Sequence, residues 1–287
     1  MKPRSHCFPL LLLCLTLLIS CTSRPQSSGS VPTQLDDNLA LHIACLPTMA
    51  CLPFYYAADS GLADSLGLPL VLRTYTAQFD ADTALMGRTV DAGVADAARL
   101  DHYRTQGRLT SLHRILPLQE RWSLVANARR RITHLTKLKG RTVAIARYSA
   151  SDSYLTHLRD SLRFKDDDIF TPQINNYRLR LQMLDNEQVD ATFLPEPYAA
   201  LALRSGHTLL SMASAQRYPV ALYATARAQK DKRKAAQLRR LVRVYNESIR
   251  RLNGKTNPLR DSLLIHKYQI PPESLSQLHF PTYTSVR

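Results

Sequence analysis

Four short segments carry side chains able to grip a small solute. Ser149-Ala150-Ser151-Asp152 follows an apolar run and opens a helical stretch. Free backbone N–H groups at such a start hold an anion or a carbonyl oxygen, with Ser149 and Ser151 as extra donors; equally, a Ser there simply caps the helix. Asp152 would repel an anion and suits capping. Glu196-Pro197-Tyr198 follows another apolar run, and Pro195 and Pro197 fix its direction. A cleft-facing Glu196 would favour an amine or a protonated ring, and Tyr198 would stack on a ring; a rigid turn with a solvent-facing Glu196 is the alternative. Thr48 and Met49, with Thr76 and Gln78, offer uncharged contacts that suit a neutral or zwitterionic solute, unless both segments are plain surface loops. Asp96 contacts ligand or caps a helix starting near Ala97. Arg147 and Arg180 are candidate anion partners, although arginines mostly lie at the surface.

Residues for covalent or metal chemistry do not assemble in the sequence. The nine histidines form no His-x-x-x-His pair, and there is no Gly-x-Ser-x-Gly elbow. Gly254-Lys255-Thr256 lacks the first glycine of a phosphate loop, and no Gly-x-Gly-x-x-Gly exists among only nine glycines. Asp166-Asp167-Asp168 lacks the glycine and distal Glu of a calcium loop. Zinc on Cys45, Cys51 and His42 would want a fourth ligand. These two cysteines read as buried thiols in preference to a disulfide. No catalytic residue, cofactor or metal is expected.

The elements that position these residues alternate. Strands are expected at 41–45, 70–72, 90–95, 112–116 and 122–126, with helices over 54–66 and 81–86 between the first of them. The pattern restarts with strands at 142–146, 170–174, 189–194 and 208–210 and helices over 149–162, 178–184 and 198–205. A strand over 220–225 and a long helix over 230–252 follow, then short helices at 259–266 and 273–278. Such alternation implies a parallel α/β sheet in each half. Leu238, Leu241, Val242, Tyr245, Ile249 and Leu252 form the long helix's apolar stripe. Gly87 to Asp96 and Asn186 to Glu196 form a weak internal repeat, each ending in an acid just past a strand, where open α/β sheets bind ligands.

The chain's ends and charge set its context. Met1 to Cys7 carries Lys2 and Arg4, Phe8 to Ile19 is apolar but too short to span a membrane, and Leu18-Ile19-Ser20-Cys21 resembles a bacterial lipobox. Residues 1–20 thus read as a lipoprotein signal peptide, Cys21 as the lipidation site and 21–38 as a lipidated tether rich in Ser and Pro. The net charge of +15 falls to +13 once Lys2 and Arg4 leave. The helix over 230–252 holds nine Lys and Arg against Asp231 and Glu247, a net +7 on one element. Clustering on one helix, without interleaved aromatics, argues against nucleic acid.

In order along the chain, several of these pieces resemble ABC-transporter substrate-binding proteins of the nitrate, sulfonate and thiamine-precursor type. They are Leu46-Pro47-Thr48 with Leu52-Pro53-Phe54-Tyr55-Tyr56-Ala57, Gly87 to Asp96, Leu138-Lys139-Gly140-Arg141-Thr142-Val143-Ala144-Ile145 with Ser149-Ala150-Ser151-Asp152, and Gln188 to Tyr198. The resemblance implies an α/β periplasmic-binding-protein architecture of type 2. Two lobes, 39–126 with 219–287 and 127–218, would be joined by crossover strands, with the C-terminal helices on the first lobe. It implies an anchored, extracytoplasmic monomer in the cell envelope. The protein would capture a small organic solute between its lobes and hand it to an ABC permease. Thr48, Met49, Thr76, Gln78, Asp96, Ser149, Ser151, Glu196 and Tyr198 are its expected ligand contacts. The alternative is an enzyme on the same fold acting on a thiamine or other cofactor precursor. Enzymatic relatives use a cysteine-rich segment, which this chain lacks.

Overall fold

The computed structural model describes residues 39–286 apart from 109–110, 214–215, 255 and 279. The signal peptide, Cys21 and the tether lie outside the described residues. The alternation resolves into two five-stranded sheets. The first takes β1 (Leu41–Cys45), β2 (Leu70–Thr74), β3 (Ala92–Asp96) and β4 (Leu112–Leu118). The second takes β5 (Trp122–Ala126), β6 (Arg141–Ala144), β7 (Ile169–Phe170), β8 (Ala191–Pro195) and β9 (Thr208–Ala213); β10 (Val220–Thr225) returns to the first.

The strand orders, β2-β1-β3-β10-β4 and β7-β6-β8-β5-β9, are the same order written twice. In each, three parallel strands are followed by one antiparallel strand from across the chain: β10 beside β3, and β5 beside β8. Each lobe thus lends the other a strand, and two chain crossings join them. One crossing corrects the expected lobe boundary at residue 126. Trp122–Ala126 pairs with β8 and β9 and belongs to the second sheet, so the chain crosses at 119–121. A strand's composition shows that it is a strand, not which sheet recruits it.

Parallel strands buried on both faces need helices on both faces. In the first lobe these are α1 (Leu52–Asp59), α2 (Leu62–Ser65), α3 (Gln78–Met86) and α4 (Ala97–Thr105); in the second, α5 (Ala150–Leu162), α6 (Tyr177–Asp185) and α7 (Tyr198–Arg204). The helix expected over 54–66 breaks at Gly61, which takes a left-handed conformation and lets the chain turn between α1 and α2. After β10 come α8 (Ala226–Lys230), α9 (Lys232–Leu252) and α10 (Pro258–His266), then a 3-10 turn at Pro272–Gln277. Asp231 separates α8 from α9 by capping the latter, its carboxylate accepting from Lys234 N at 2.9 Å. α9 lies on the first lobe, with the Phe54 and Tyr245 rings 5.4 Å apart. Its buried stripe takes Val244, while Val242, expected in it, is only half-buried. No helix among the described residues is long and apolar enough to cross a membrane.

Candidate functional site

The carboxyl ends of the parallel strands in both lobes face one another, and the lobes are in contact there. Met49 N donates to the Glu196 carbonyl at 3.0 Å, and Ala77 bridges Asn176. Arg99 Nη1 donates to the Arg147 carbonyl at 3.1 Å. At the rim the His102 and Tyr148 rings stack 3.5 Å apart and 6° from parallel, beside a cavity of about 390 Å³.

Each expected contact residue has a definite place in this junction. Thr48 and Met49 are buried on the loop after β1, where Tyr268 and Tyr283 hydroxyls donate to their carbonyls, both at 2.8 Å. Gln78 turns inward from the start of α3, its amide donating to Asp82 Oδ1 at 2.8 Å and to the Val94 carbonyl at 2.9 Å. Thr76, two residues earlier, is exposed. Ser149 and Ser151 are buried and brace one turn. Ser149 Oγ donates to the Ala146 carbonyl at 2.7 Å, and Ser151 Oγ accepts from Ala146 N at 3.0 Å. Ser149 caps α5 by accepting from Ser151 N. Glu196 is half-buried, joined to Pro197 by a cis peptide, and its Oε2 accepts from Ala200 N at 3.2 Å. Tyr198 is buried, its ring 6.1 Å from that of Tyr177. Cys45 and Cys51 are free, buried thiols.

Asp96 is the point where the lobes meet electrostatically. It caps α4, accepting from Arg99 N at 2.9 Å, and the Ala150 amide at the start of α5 in the other lobe lies near enough to favour its charged form. The α5 start expected to hold a solute oxygen therefore also faces Asp96. Burial, reinforced by the nearby Asp82 charge, pushes Asp96 up to about 7. Asp82 is offset by Arg99, whose Nε lies 2.5 Å from Asp82 Oδ2 and whose Nη2 donates to the Tyr103 hydroxyl at 2.6 Å.

Arg180, expected as a candidate anion partner, lies among residues that sequence reasoning missed. Arg180 is completely buried. Its Nε donates to the Ile174 carbonyl at 2.7 Å and Nη1 to the Phe193 carbonyl at 2.9 Å, while Nη2 has no partner. Burial brings it down to about 10, so it is still a cation at neutral pH. Tyr177 lies under its guanidinium, 5.4 Å away, and within electrostatic reach of Asp96, Glu120 and Arg99. Trp122 packs edge-on against Tyr177 at 5.9 Å, and its indole Nε1 is also unpartnered. Glu120, buried in the crossing between β4 and β5, has an unpartnered Oε1; burial raises its carboxyl far above the usual range, against a hydrogen bond from Thr48. Asn175 Oδ1, two residues before Tyr177, is likewise buried and unpaired. One signal was available: Tyr177, Arg180, Leu181 and Leu184 follow i, i+3, i+4, i+7, so Arg180 lies on the buried face of α6.

Comparisons with known proteins agree with this architecture. The alkanesulfonate-binding protein SsuA of Xanthomonas axonopodis pv. citri, solved with MOPS, superposes with a TM-score of 0.67 at 16% identity, covering 83% of this chain and 82% of that one. The periplasmic nitrate-binding protein NrtA of Synechocystis PCC 6803 gives 0.67 at 12% identity, covering 82% and 68%. The ligand-binding component of an ABC-type import system from Staphylococcus aureus, solved with zinc, gives 0.65 at 16%, covering 83% and 82%. At these identities the likeness shows the type 2 periplasmic-binding-protein fold. No curated protein matches the sequence. The family model described as NMT1/THI5 like matches residues 49–252, most of the chain, and the protein therefore belongs to the NMT1/THI5-like family.

Proposed function

We propose that this protein is the solute-binding component of an ABC import system, anchored in the cell envelope through lipid on Cys21. It captures a small organic solute between its lobes and presents it to a permease. One observation carries the reading: the unpaired polar atoms around the junction, Arg180 Nη2, Trp122 Nε1, Glu120 Oε1 and Asn175 Oδ1. Each buried group left without a partner costs about 1–3 kcal/mol, more when charged. Two donors and two acceptors unpaired in one region suit a ligand that supplies the missing partners. With Trp122, Tyr177 and Tyr198 as neighbouring rings, they favour a flat solute. It would carry an anionic or carbonyl oxygen for Arg180 and Trp122, and an N–H or O–H for Glu120 and Asn175. Thr48, Met49, Thr76, Gln78, Asp96, Ser149, Ser151, Glu196 and Tyr198 would shape the loops around it.

The test is to release and identify solute co-purified with the protein by mass spectrometry, then titrate it back while following scattering and melting temperature. Compaction together with a raised melting temperature supports the reading. Conversion of the solute during incubation would replace receptor by enzyme, and the absence of any solute that shifts either readout would remove the proposal.

A further inference from the structure

Away from the junction, a cavity of about 410 Å³ opens on the first lobe between β1, the turn before β3 and the start of α9. Arg73, Arg88, Arg227, Arg233 and Lys234 line it against only Asp91 and Asp231. Both acids are already engaged. Asp91 Oδ2 accepts from His42 N at 3.0 Å and lies 2.8 Å from Lys234 Nζ, its Oδ1 lies 3.7 Å from Arg227 Nη2, and Asp231 caps α9. Arg88, Arg227 and Arg233 are exposed. Arg227 reaches over the opening, its Nη2 donating to the Arg88 carbonyl at 2.9 Å. The first half of α9 continues the positive surface with exposed Lys232, Arg239 and Arg243, whereas Glu247 offsets one of the two charges at the far end by pairing with Arg250 and Arg251.

The chain enters the described fold at the edge of this surface. The Leu39 carbonyl accepts from Gln237 Nε2 at 2.8 Å, and the Ala40 carbonyl from Lys234 Nζ. Only residues 22–38 separate Leu39 from Cys21, a span of at most about 60 Å when fully extended. An anchor on Cys21 therefore keeps this face within reach of the bilayer, where local headgroup concentration is high.

We infer that the cavity lined by Arg88, Arg227 and Arg233, with the first half of α9, is a docking surface for the headgroup phosphate of anionic phospholipid. It would hold the anchored protein against the membrane by its first lobe and leave the junction between the lobes turned elsewhere. The inference rests on the anchored reading, and the two are separable: incorporation of labelled palmitate at Cys21 tests the anchor, while headgroup binding is tested without it. The full chain carrying Cys21→Ser is floated with vesicles of phosphatidylcholine alone or with one third phosphatidylglycerol. Any insertion of the leader is common to parent and variants. A basic residue near an anionic surface contributes about 1 kcal/mol, so Arg88→Ala/Arg227→Ala/Arg233→Ala should lower the partition onto phosphatidylglycerol vesicles roughly 100-fold. Arg233→Glu, altering one exposed side chain, should lower it at least about tenfold and guards against unfolding of the triple variant. Parent-like binding by Arg233→Glu and the folded triple variant overturns the proposal. Inorganic phosphate, titrated as a second probe, separates the sources: saturable binding without preference for phosphatidylglycerol vesicles would assign the cavity to a soluble phosphate and overturn the lipid docking.

Discussion

The two lobes repeat one turn at atomic detail and then part company. In the first, Asp91 N donates to the His42 carbonyl, its Oδ2 accepts from His42 N, and its carbonyl accepts from Thr225 N. In the second, Asp190 does the same with Thr142 and Asn127. Arg88 and Glu187, three residues earlier in each case, share a left-handed φ near 58–59°. Val90-Asp91-Ala92 and Val189-Asp190-Ala191 thus recur because each must end a helix, start a central strand and clamp both its neighbours. At the other end of the strand the likeness ends. Asp96 follows its Asp by five residues, is buried and caps α4 with its side chain; Glu196 follows by six, is half-buried in a turn and meets the other lobe through its carbonyl, which accepts from Met49 N. Strand starts serve the fold and are alike, whereas strand ends meet at the junction between the lobes and differ.

The largest effects should come from Arg99 and Arg180, a buried arginine in each lobe. Arg99 is paired with Asp82, so Arg99→Met strands a buried carboxylate and should cost about 3–5 kcal/mol in urea unfolding. Arg180 has no carboxylate of its own, so Arg180→Met, which takes a donor from the Ile174 and Phe193 carbonyls, should cost less than Arg99→Met, about 1–2 kcal/mol, while solute affinity falls at least about tenfold, the scale of one charge-assisted bond. Equal stability losses would erase the distinction between a cation serving the fold and one reserved for ligand.

Asp96 sharpens the contrast through pH. Because it is raised to about 7, the folded chain keeps a proton that an ordinary carboxyl has lost above about pH 4. Its contribution to stability is therefore whole below about pH 4 and declines as pH rises through 7, by something on the order of 3–4 kcal/mol in total. Burial raises Asp82 too, in the same direction. Asp96→Asn, which keeps a capping side chain, should flatten much of that slope between pH 5 and 8. An unchanged slope would locate the proton elsewhere.

The strand starts can be broken as a pair. Asp91 is buried, with Lys234 at 2.8 Å and Arg227 at 3.7 Å, whereas Asp190 is more open, with Arg130 at 3.2 Å and Arg141 at 3.9 Å. Asp91→Ala should cost about 3 kcal/mol and Asp190→Ala about 1–2 kcal/mol by chemical unfolding. Equal costs would mean that the shared backbone clamp, not its covering, sets the energy.

What the sequence made legible follows the same division. Periodicity and turn residues located the strands, the repeat and the loops that meet at the junction. It overran where one residue vetoed a pattern: the strand expected over 170–174 stops at Phe170 because Pro172 has no N–H to offer, leaving Gln173 a lone bridge to Ile145. The polar floor was largely invisible. Glu120 is a loop residue until the second lobe covers it. Arg180 looks like a surface arginine unless its spacing from Tyr177 and Leu184 is weighed above its charge. Ser149 and Ser151 were legible as donors or as a cap, and Ser149 does cap α5, but the bonds of both hydroxyls to the Ala146 peptide were not legible.

The smallest predicted effect lies at the centre of each sheet. Gly93 and Thr192 occupy the same place two residues past the repeated Asp, facing Ala44 and Ala144. In the first lobe a Cβ at Gly93 would meet the Ala44 Cβ at 3.3 Å and Leu85 Cδ1 at 3.6 Å, so β1 and α3 close over a residue without a side chain. In the second, Thr192 fills the space and its hydroxyl donates to the Ala144 carbonyl at 3.1 Å. Thr192→Val keeps the shape and removes that bond, for about 1 kcal/mol. Gly93→Ala adds one methyl to a gap a few tenths of an ångström too narrow, which Leu85 can absorb by shifting, at a cost near the lower end of the roughly 1–3 kcal/mol typical of overpacking. Comparable losses in thermal unfolding would show that one sheet order tolerates either a glycine contact or a filled, hydrogen-bonded one. A much larger loss for Gly93→Ala would mean that α3, and with it Gln78 and Asp82, is held in place by that close approach.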